Sequence, residues 1–355
     1  MSADRVMHRP RRAQAGLSLV ELMVGIVVSL LVSLAAAGSA MMFTASQRQG
    51  ASTSTVSING LSVINAIKAD LSLTGLGFFD ASQAPCGTLN LSSNTNVISN
   101  GADIAPLRVT RNGDHDQLDV LYATTVESGS SVLLDQFSDG TSAAVRSFIP
   151  AAVGQAVMLA PELAGGLCTM RSVTSVVAAT ATTPQTLIFS DAGEHNQAVF
   201  STPPEYSAKG RVALVSDLIW NRYRVDANSQ LVLDRRMDGA SAVLLRDVVS
   251  FRVQYGVSGV AAASAPTLED WVDATGVFGT INAGNIERVR AVRVGVMLRS
   301  AQREKAEADG VCRATETAPQ LFGFTPSAFT GADTTWRCFR YRTQTVIVPL
   351  RNFVM

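Results

Sequence analysis

The chain has 355 residues, with 29 Lys and Arg against 29 Asp and Glu, 47% apolar residues and only 16% charged ones. Balanced charge leaves no basic footprint for nucleic acid, and the apolar fraction is too high for a disordered chain. At about 150 residues per domain the length allows two units, or one large β-rich domain with an appendage. Four cysteines are too few for a mini-protein built on disulfides.

The excess hydrophobicity sits at the start. Leu22 to Gln47 carries no charged residue, and a helix of that length covers about 39 Å against a bilayer core of about 30 Å. Arg5, Arg9, Arg11 and Arg12 precede it against a lone Asp4, so the positive-inside rule keeps the first residues cytoplasmic and sends the remainder across. A cleaved secretory signal and a plain anchor are the ordinary readings. A signal has an apolar stretch of about 7–15 residues before a small-x-small cleavage site. Here the stretch is longer, although Ala35-Ala36-Ala37-Gly38 has the composition of such a site. Neither reading explains Glu21, a carboxylate at the front of the apolar run, where a charge is costly and usually paired.

Gly16-Leu17-Ser18-Leu19-Val20-Glu21-Leu22 resembles the processing site of type IV prepilins, with a basic leader, a small residue before the cut and a glutamate fifth in the mature chain. The resemblance implies cleavage by a prepilin peptidase between Gly16 and Leu17, N-methylation at Leu17, and Glu21 as the assembly glutamate. Leu17 stands where that family usually has phenylalanine, and Gly38 where many major pilins have proline. Independently of the family, a new amino terminus at Leu17 lies one helical turn from Glu21, and the carboxylate gains from the positive end of the helix dipole.

Residues 44–79 begin polar and continue with Leu61, Ile64, Ile67 and Leu71 at helical spacing, which predicts an amphipathic helix whose apolar face holds the following domain. Gly50 and Gly60 weaken it, and Gly75-Leu76-Gly77 ends it. The stretch from Ala66 through Asp70 and Leu71 to Phe78 resembles the helix-to-head junction of PilW-type minor pilins.

Residues 80–355 read as strand-rich, with alternating or apolar runs at 118–122, 212–215, 218–225, 231–233, 248–255, 289–296 and 341–350. Asp226 and Asn228 suit a hairpin turn between Val225 and Leu231. Polar or Ala/Gly-rich stretches such as 92–103 and 256–285 read as loops. The Arg-rich strand at 289–299 and the closing segment 346–352 also resemble the carboxyl end of PilW-like proteins.

Cys86, Cys168, Cys312 and Cys338 all follow the span and so fall in an oxidising compartment. Their even number fits two disulfides. Three connectivities are open; Cys312 with Cys338 closes a short C-terminal loop, leaving Cys86 with Cys168. No CxxC spacing is present, which argues against zinc. Gly113-Asp114-His115-Asp116-Gln117-Leu118-Asp119 places carboxylates at alternate positions. That pattern admits calcium or, with a serine, a triad, but it reads most simply as an acidic turn before a strand. No phosphate loop, HExxH helix or GxSxG elbow occurs.

The expectation is an α+β chain: a prepilin leader at 1–16, a transmembrane and filament-core helix at 17–47, its amphipathic second half at 48–79, and a β-rich periplasmic head with antiparallel sheet at 80–355. The resemblance implies a non-enzymatic minor pilin with no cofactor or metal, held in the inner membrane by a single pass and then carried into the pilus. Implied partners are the other minor pilins, the major pilin and a PilY-type tip protein, with roles in priming assembly or forming the tip, and thus in twitching motility and adhesion. A J-type minor pseudopilin of a type II secretion system would share the leader, glutamate and helix. A membrane-anchored periplasmic enzyme would need a catalytic constellation that the sequence does not offer.

Overall fold

The computed structural model describes residues 19–76, 86–123, 131–163, 165–215, 217–259, 267–281 and 285–350. The cleavage pair Gly16 and Leu17, the leader, and Gly77–Phe79 lie outside them. By contacts the chain divides into two units, Met1–Ser52 and Thr53–Met355.

Helix α1 runs Leu19–Leu73, 55 residues. It contains no proline to remove an N–H or clash with the preceding turn, so its four glycines weaken it without breaking it. It stops at Gly75, whose φ of 80° is the left-handed geometry that ends helices. The Gly75 amide then donates to the Leu121 carbonyl at 2.9 Å, and the Ala123 amide donates to the Leu76 carbonyl at 2.8 Å, so the chain leaving the helix is already tied to a strand.

Among the described residues eighteen strands follow. They are β1 (Cys86–Ser93), β2 (Asn96–Asp103), β3 (Leu107–Asn112), β4 (His115–Ala123), β5 (Ser131–Leu133), β6 (Ser142–Val145), β7 (Ala156–Ala160), β8 (Gly166–Ser172) and β9 (Ser175–Val177). The second nine are β10 (Gln185–Ile188), β11 (Arg211–Val215), β12 (Leu218–Val225), β13 (Leu231–Arg235), β14 (Ser241–Leu245), β15 (Val248–Val257), β16 (Asp270–Asp273), β17 (Val289–Arg299) and β18 (Tyr341–Pro349). A nine-stranded sheet has the order β14-β13-β12-β4-β15-β17-β18, with β16 also on β15 and β3 on β4. A six-stranded sheet runs β2-β1-β8-β7-β11-β5, and a three-stranded one β6-β10-β9. Pairing is antiparallel except between β1 and β8 and at the Phe251–His115 contact of β15 with β4.

The alternation of side chains along each strand stacks these layers. On β4, Leu118, Val120 and Tyr122 join Ile64, Ile67 and Leu71 of α1 in one core, while Leu121 and Ala123 point into a second core with β1 and β8. On β7, Met158 and Ala160 fill that second core, while Val157 and Leu159 face a third one, formed with β6 and β10. From the last turns of α1 outward, the order is helix, nine-stranded sheet, six-stranded sheet, three-stranded sheet. The α+β expectation holds, with antiparallel sheet dominant.

Three readings of the sequence are corrected. Residues 92–103 form the end of β1 and all of β2 rather than a loop: Ile98 and Ser99 turn inward, whereas both ends of β2 are exposed, so an edge strand carries polar residues that look like loop. The stretch 256–285 contains β16 and a 3₁₀ turn at Gly276–Phe278. Within the helix stripe, Ile64, Ile67 and Leu71 are buried, but Leu61 is half exposed and Val56 and Val63 take part instead.

Candidate assembly site

The first unit presents an apolar surface. Leu19–Met41 is long and apolar enough to cross a membrane, and none of it is buried. Ser29, Ser33, Ser39 and Thr44 donate their hydroxyls to carbonyls three or four residues earlier, so these polar groups are satisfied within the helix. A surface of this kind needs lipid or other helices around it. Glu21 lies in the first turn of the described helix, ahead of the exposed Leu22, Met23 and Val24.

The far end of α1 carries a polar cluster. The Asp70 carboxylate accepts from the Tyr122 hydroxyl at 2.9 Å, the Tyr223 hydroxyl at 2.6 Å and the Asn221 amide at 2.6 Å. Tyr122 lies on β4, and Tyr223 and Asn221 on the adjacent β12, so one helical side chain ties two strands. Burial first, and then the Asp70 charge, raise both phenol pKa values well above the usual range, which keeps the hydroxyls protonated as donors. In the sequence Asp70 is marked only as a carboxylate beside Leu71, one position off the buried stripe.

The acidic turn is built from spread-out pairings. The hairpin β3–β4 closes on Gly113 and Asp114, with Gly113 at a φ of 57°. Asp114 accepts from the Ser327 amide at 3.0 Å and from its hydroxyl. Asp116 accepts from the Val253 amide at 2.8 Å and pairs with Arg252 at 3.2 Å, both side chains 2% exposed. Asp119 pairs with Arg222 at 2.8 Å. The three carboxylates therefore serve three different partners. Among the described residues no group of three or more His, Cys, Asp or Glu side chains is arranged to hold a metal ion. Burial pushes the Asp116 carboxyl up to about 6 and lowers the His115 pKa, against the opposing pull of Asp114.

Two disulfides close the head: Cys86–Cys168 joins β1 to β8, and Cys312–Cys338 closes a loop between β17 and β18. That loop packs Leu321, Phe329 and Trp336 onto Met297 of β17. The arginines that make β17 and its neighbour unusual serve the same contact. Arg252 lies over Phe324 at 4.1 Å, Arg293 over Phe322 at 4.4 Å and Arg299 over Phe339 at 4.7 Å, each a cation–π stack from sheet to loop.

An apolar N-terminal helix entered through a prepilin-like motif and followed by a β-rich head defines the class of type IV pilins. Residues 11–37 match the family model described as the prokaryotic N-terminal methylation motif, and residues 216–352, from β12 through β18, match that of Type IV Pilus-assembly protein W. The chain is thus similar to PilW-type minor pilins over its last strands and to type IV prepilins over its N-terminal motif, and its apolar helix fits that of a single-pass inner-membrane pilin. The matched family is described as a pilus-assembly protein, which is a structural role. No curated protein matches the chain. Among solved structures, the type IV-like pilin TTHA1219 from Thermus thermophilus is similar at 10% identity and a TM-score of 0.32, with 84% of this chain and 97% of that chain covered.

Proposed function

We propose that the chain is cut between Gly16 and Leu17 by a prepilin peptidase, N-methylated on Leu17, and inserted into a type IV pilus through Glu21, where its head helps to prime assembly or forms the tip. The reading is carried by one observation: the segment matching the methylation motif continues into an apolar, unburied helix, and that same helix ends in a head matching the W family. Partners on this reading are the other minor pilins, the major pilin and a PilY-type tip protein, and the resulting activities are twitching motility and adhesion. A carboxylate at position 21 meeting a neighbour's terminal ammonium at 4 Å is attracted by about 4 kcal/mol at an effective dielectric of 20, before desolvation is subtracted. Such a pair sets axial register in a stack of otherwise featureless apolar helices.

Mass spectrometry of the mature N-terminus tests the processing step. Cleavage gives a chain beginning at Leu17, with one added methyl. A start near residue 38 would identify a secretory signal, and an intact Met1 an uncleaved anchor; either result contradicts the proposal.

A further inference from the structure

We propose that β18 is a strand-addition edge, whose free side takes an extended segment of a neighbouring pilus subunit as a further strand of the nine-stranded sheet. The identity of that partner rests on the pilus reading. A sheet edge exposes a row of unpaired N–H and C=O groups, and proteins blunt it by keeping the strand short, bulging it, or placing Lys or Pro along it. The other strands that end the three sheets follow this rule. β5, β6 and β9 have three, four and three residues. β14 has five and shifts register against β13, and β2 shifts register twice against β1. By contrast, β18 has nine residues and pairs with β17 without a shift. Its only charge, Arg342, and its only proline, Pro349, stand near the two ends, and Thr343-Gln344-Thr345-Val346-Ile347-Val348 between them is neutral.

The register defines which backbone groups are free. The Ser300 amide donates to the Arg340 carbonyl at 2.7 Å, and the Leu350 amide to the Arg290 carbonyl at 2.9 Å. Between these two bonds the pairing from Arg299–Tyr341 to Ala291–Pro349 is unbroken. Antiparallel alternation therefore turns the even-numbered residues of β18 toward β17 and the N–H groups of Tyr341, Thr343, Thr345 and Ile347 outward. No other described strand pairs with β18. Donors and acceptors that repeat every two residues, about 6.8 Å, are matched by a second extended backbone and not by a compact ligand. The side chains narrow the choice. Thr343, Thr345 and Ile347 are exposed, Ile347 by 58%, and such β-branched residues pair well with β-branched or aromatic ones across strands. Arg299 and Arg340 are paired with Asp247 and Glu304, whereas the exposed Arg342 has no ion pair among the described residues. The segment that fits is a neutral, β-branched strand with a carboxylate beside Arg342.

Proline tests the edge, because at an outward position it removes a donor that β17 does not use. Thr345→Pro in the full chain in detergent should keep the melting temperature within a few degrees, whereas Val346→Pro, which removes an inward donor, should lower it much further. The chain is then co-expressed with the other minor pilins and the major pilin and purified through an affinity tag. Retention of a pilin subunit should fall about tenfold in Thr345→Pro, the loss expected for one or two ladder hydrogen bonds. Thr345→Val, which keeps the N–H, should retain the subunit as the native chain does. Thr343→Pro serves if Thr345→Pro does not fold. Hydrogen exchange at Thr343, Thr345 and Ile347 should be slower in the retained complex than in the chain alone. Native retention by a folded proline variant, or unchanged exchange at these amides in the complex, would overturn the proposal and leave the pilus reading standing. Failure of the native chain to retain any pilin would also overturn it. In that case a mature N-terminus at Leu17 keeps the pilus reading, and an intact Met1 removes both.

Discussion

At the scale of single residues, the acidic turn shows how burial decides what a carboxylate does. Asp116 sits 2% exposed against Arg252 and the Val253 amide. Both carboxylate oxygens accept, one from Arg252 and one from the Val253 amide; Asn offers one acceptor and turns an NH₂ toward the other donor, so Asp116→Asn should destabilise the protein by about 1–3 kcal/mol, read as a lower melting temperature. The pH dependence has a definite sign. Burial raises the folded carboxyl to about 6 from the ordinary value of 3.8, so between those values the folded state binds more protons than the unfolded one. The contribution of this group is fully present below about pH 3.8 and is lost as pH rises through about 6. Relative to the Asn variant, the native protein should therefore lose stability across that window; a gain across it would show that the Arg252 pairing outweighs desolvation.

At the scale of elements, Gly60 separates two roles that a helix glycine can have. A Cβ there would come within 3.0 Å of both Gln344 Cγ and Leu298 Cδ1, whereas one at Gly50 would meet nothing within 4 Å. Gly60→Leu should cost about 1–3 kcal/mol through overpacking against β17 and β18, and Gly50→Ala should raise helix stability by up to about 1 kcal/mol, both measured by thermal melting of the full chain in detergent. From sequence the two glycines read alike, because helix propensity carries no information about what lies opposite. The same limit explains the rest of the mismatch. The central strands β12, β15 and β17 were legible, since their burial leaves long apolar or alternating runs. The edge strand β2 was not, since it keeps its backbone hydrogen bonds while exposing polar side chains. Glu21 stands out in the sequence because a charge at the head of an apolar run is costly. Asp70 was not singled out, because a carboxylate in a helix that faces solvent is ordinary, and only the fold brings Tyr122, Tyr223 and Asn221 to it.

At the scale of the whole molecule, a membrane-compatible helix and a stapled β-rich head are joined in one chain. The Cys86–Cys168 and Cys312–Cys338 bridges span 82 and 26 residues, and their loss should cost at most about 4.5 and about 3.5 kcal/mol on the chain-entropy account. The Cys312→Ser, Cys338→Ser double variant should loosen the loop over β17 and leave the six-stranded sheet intact, visible as faster hydrogen exchange confined to the residues around 312–338. Surface piliation in a strain lacking the native gene and expressing Glu21→Val reads whether α1 is a filament element whose assembly depends on Glu21. The substitution makes the apolar run more hydrophobic, so a plain anchor would be held at least as well. The variant should accumulate in the membrane with its N-terminus at Leu17 and fail to restore pili. A variant present, processed and restoring piliation to the native level would contradict that dependence.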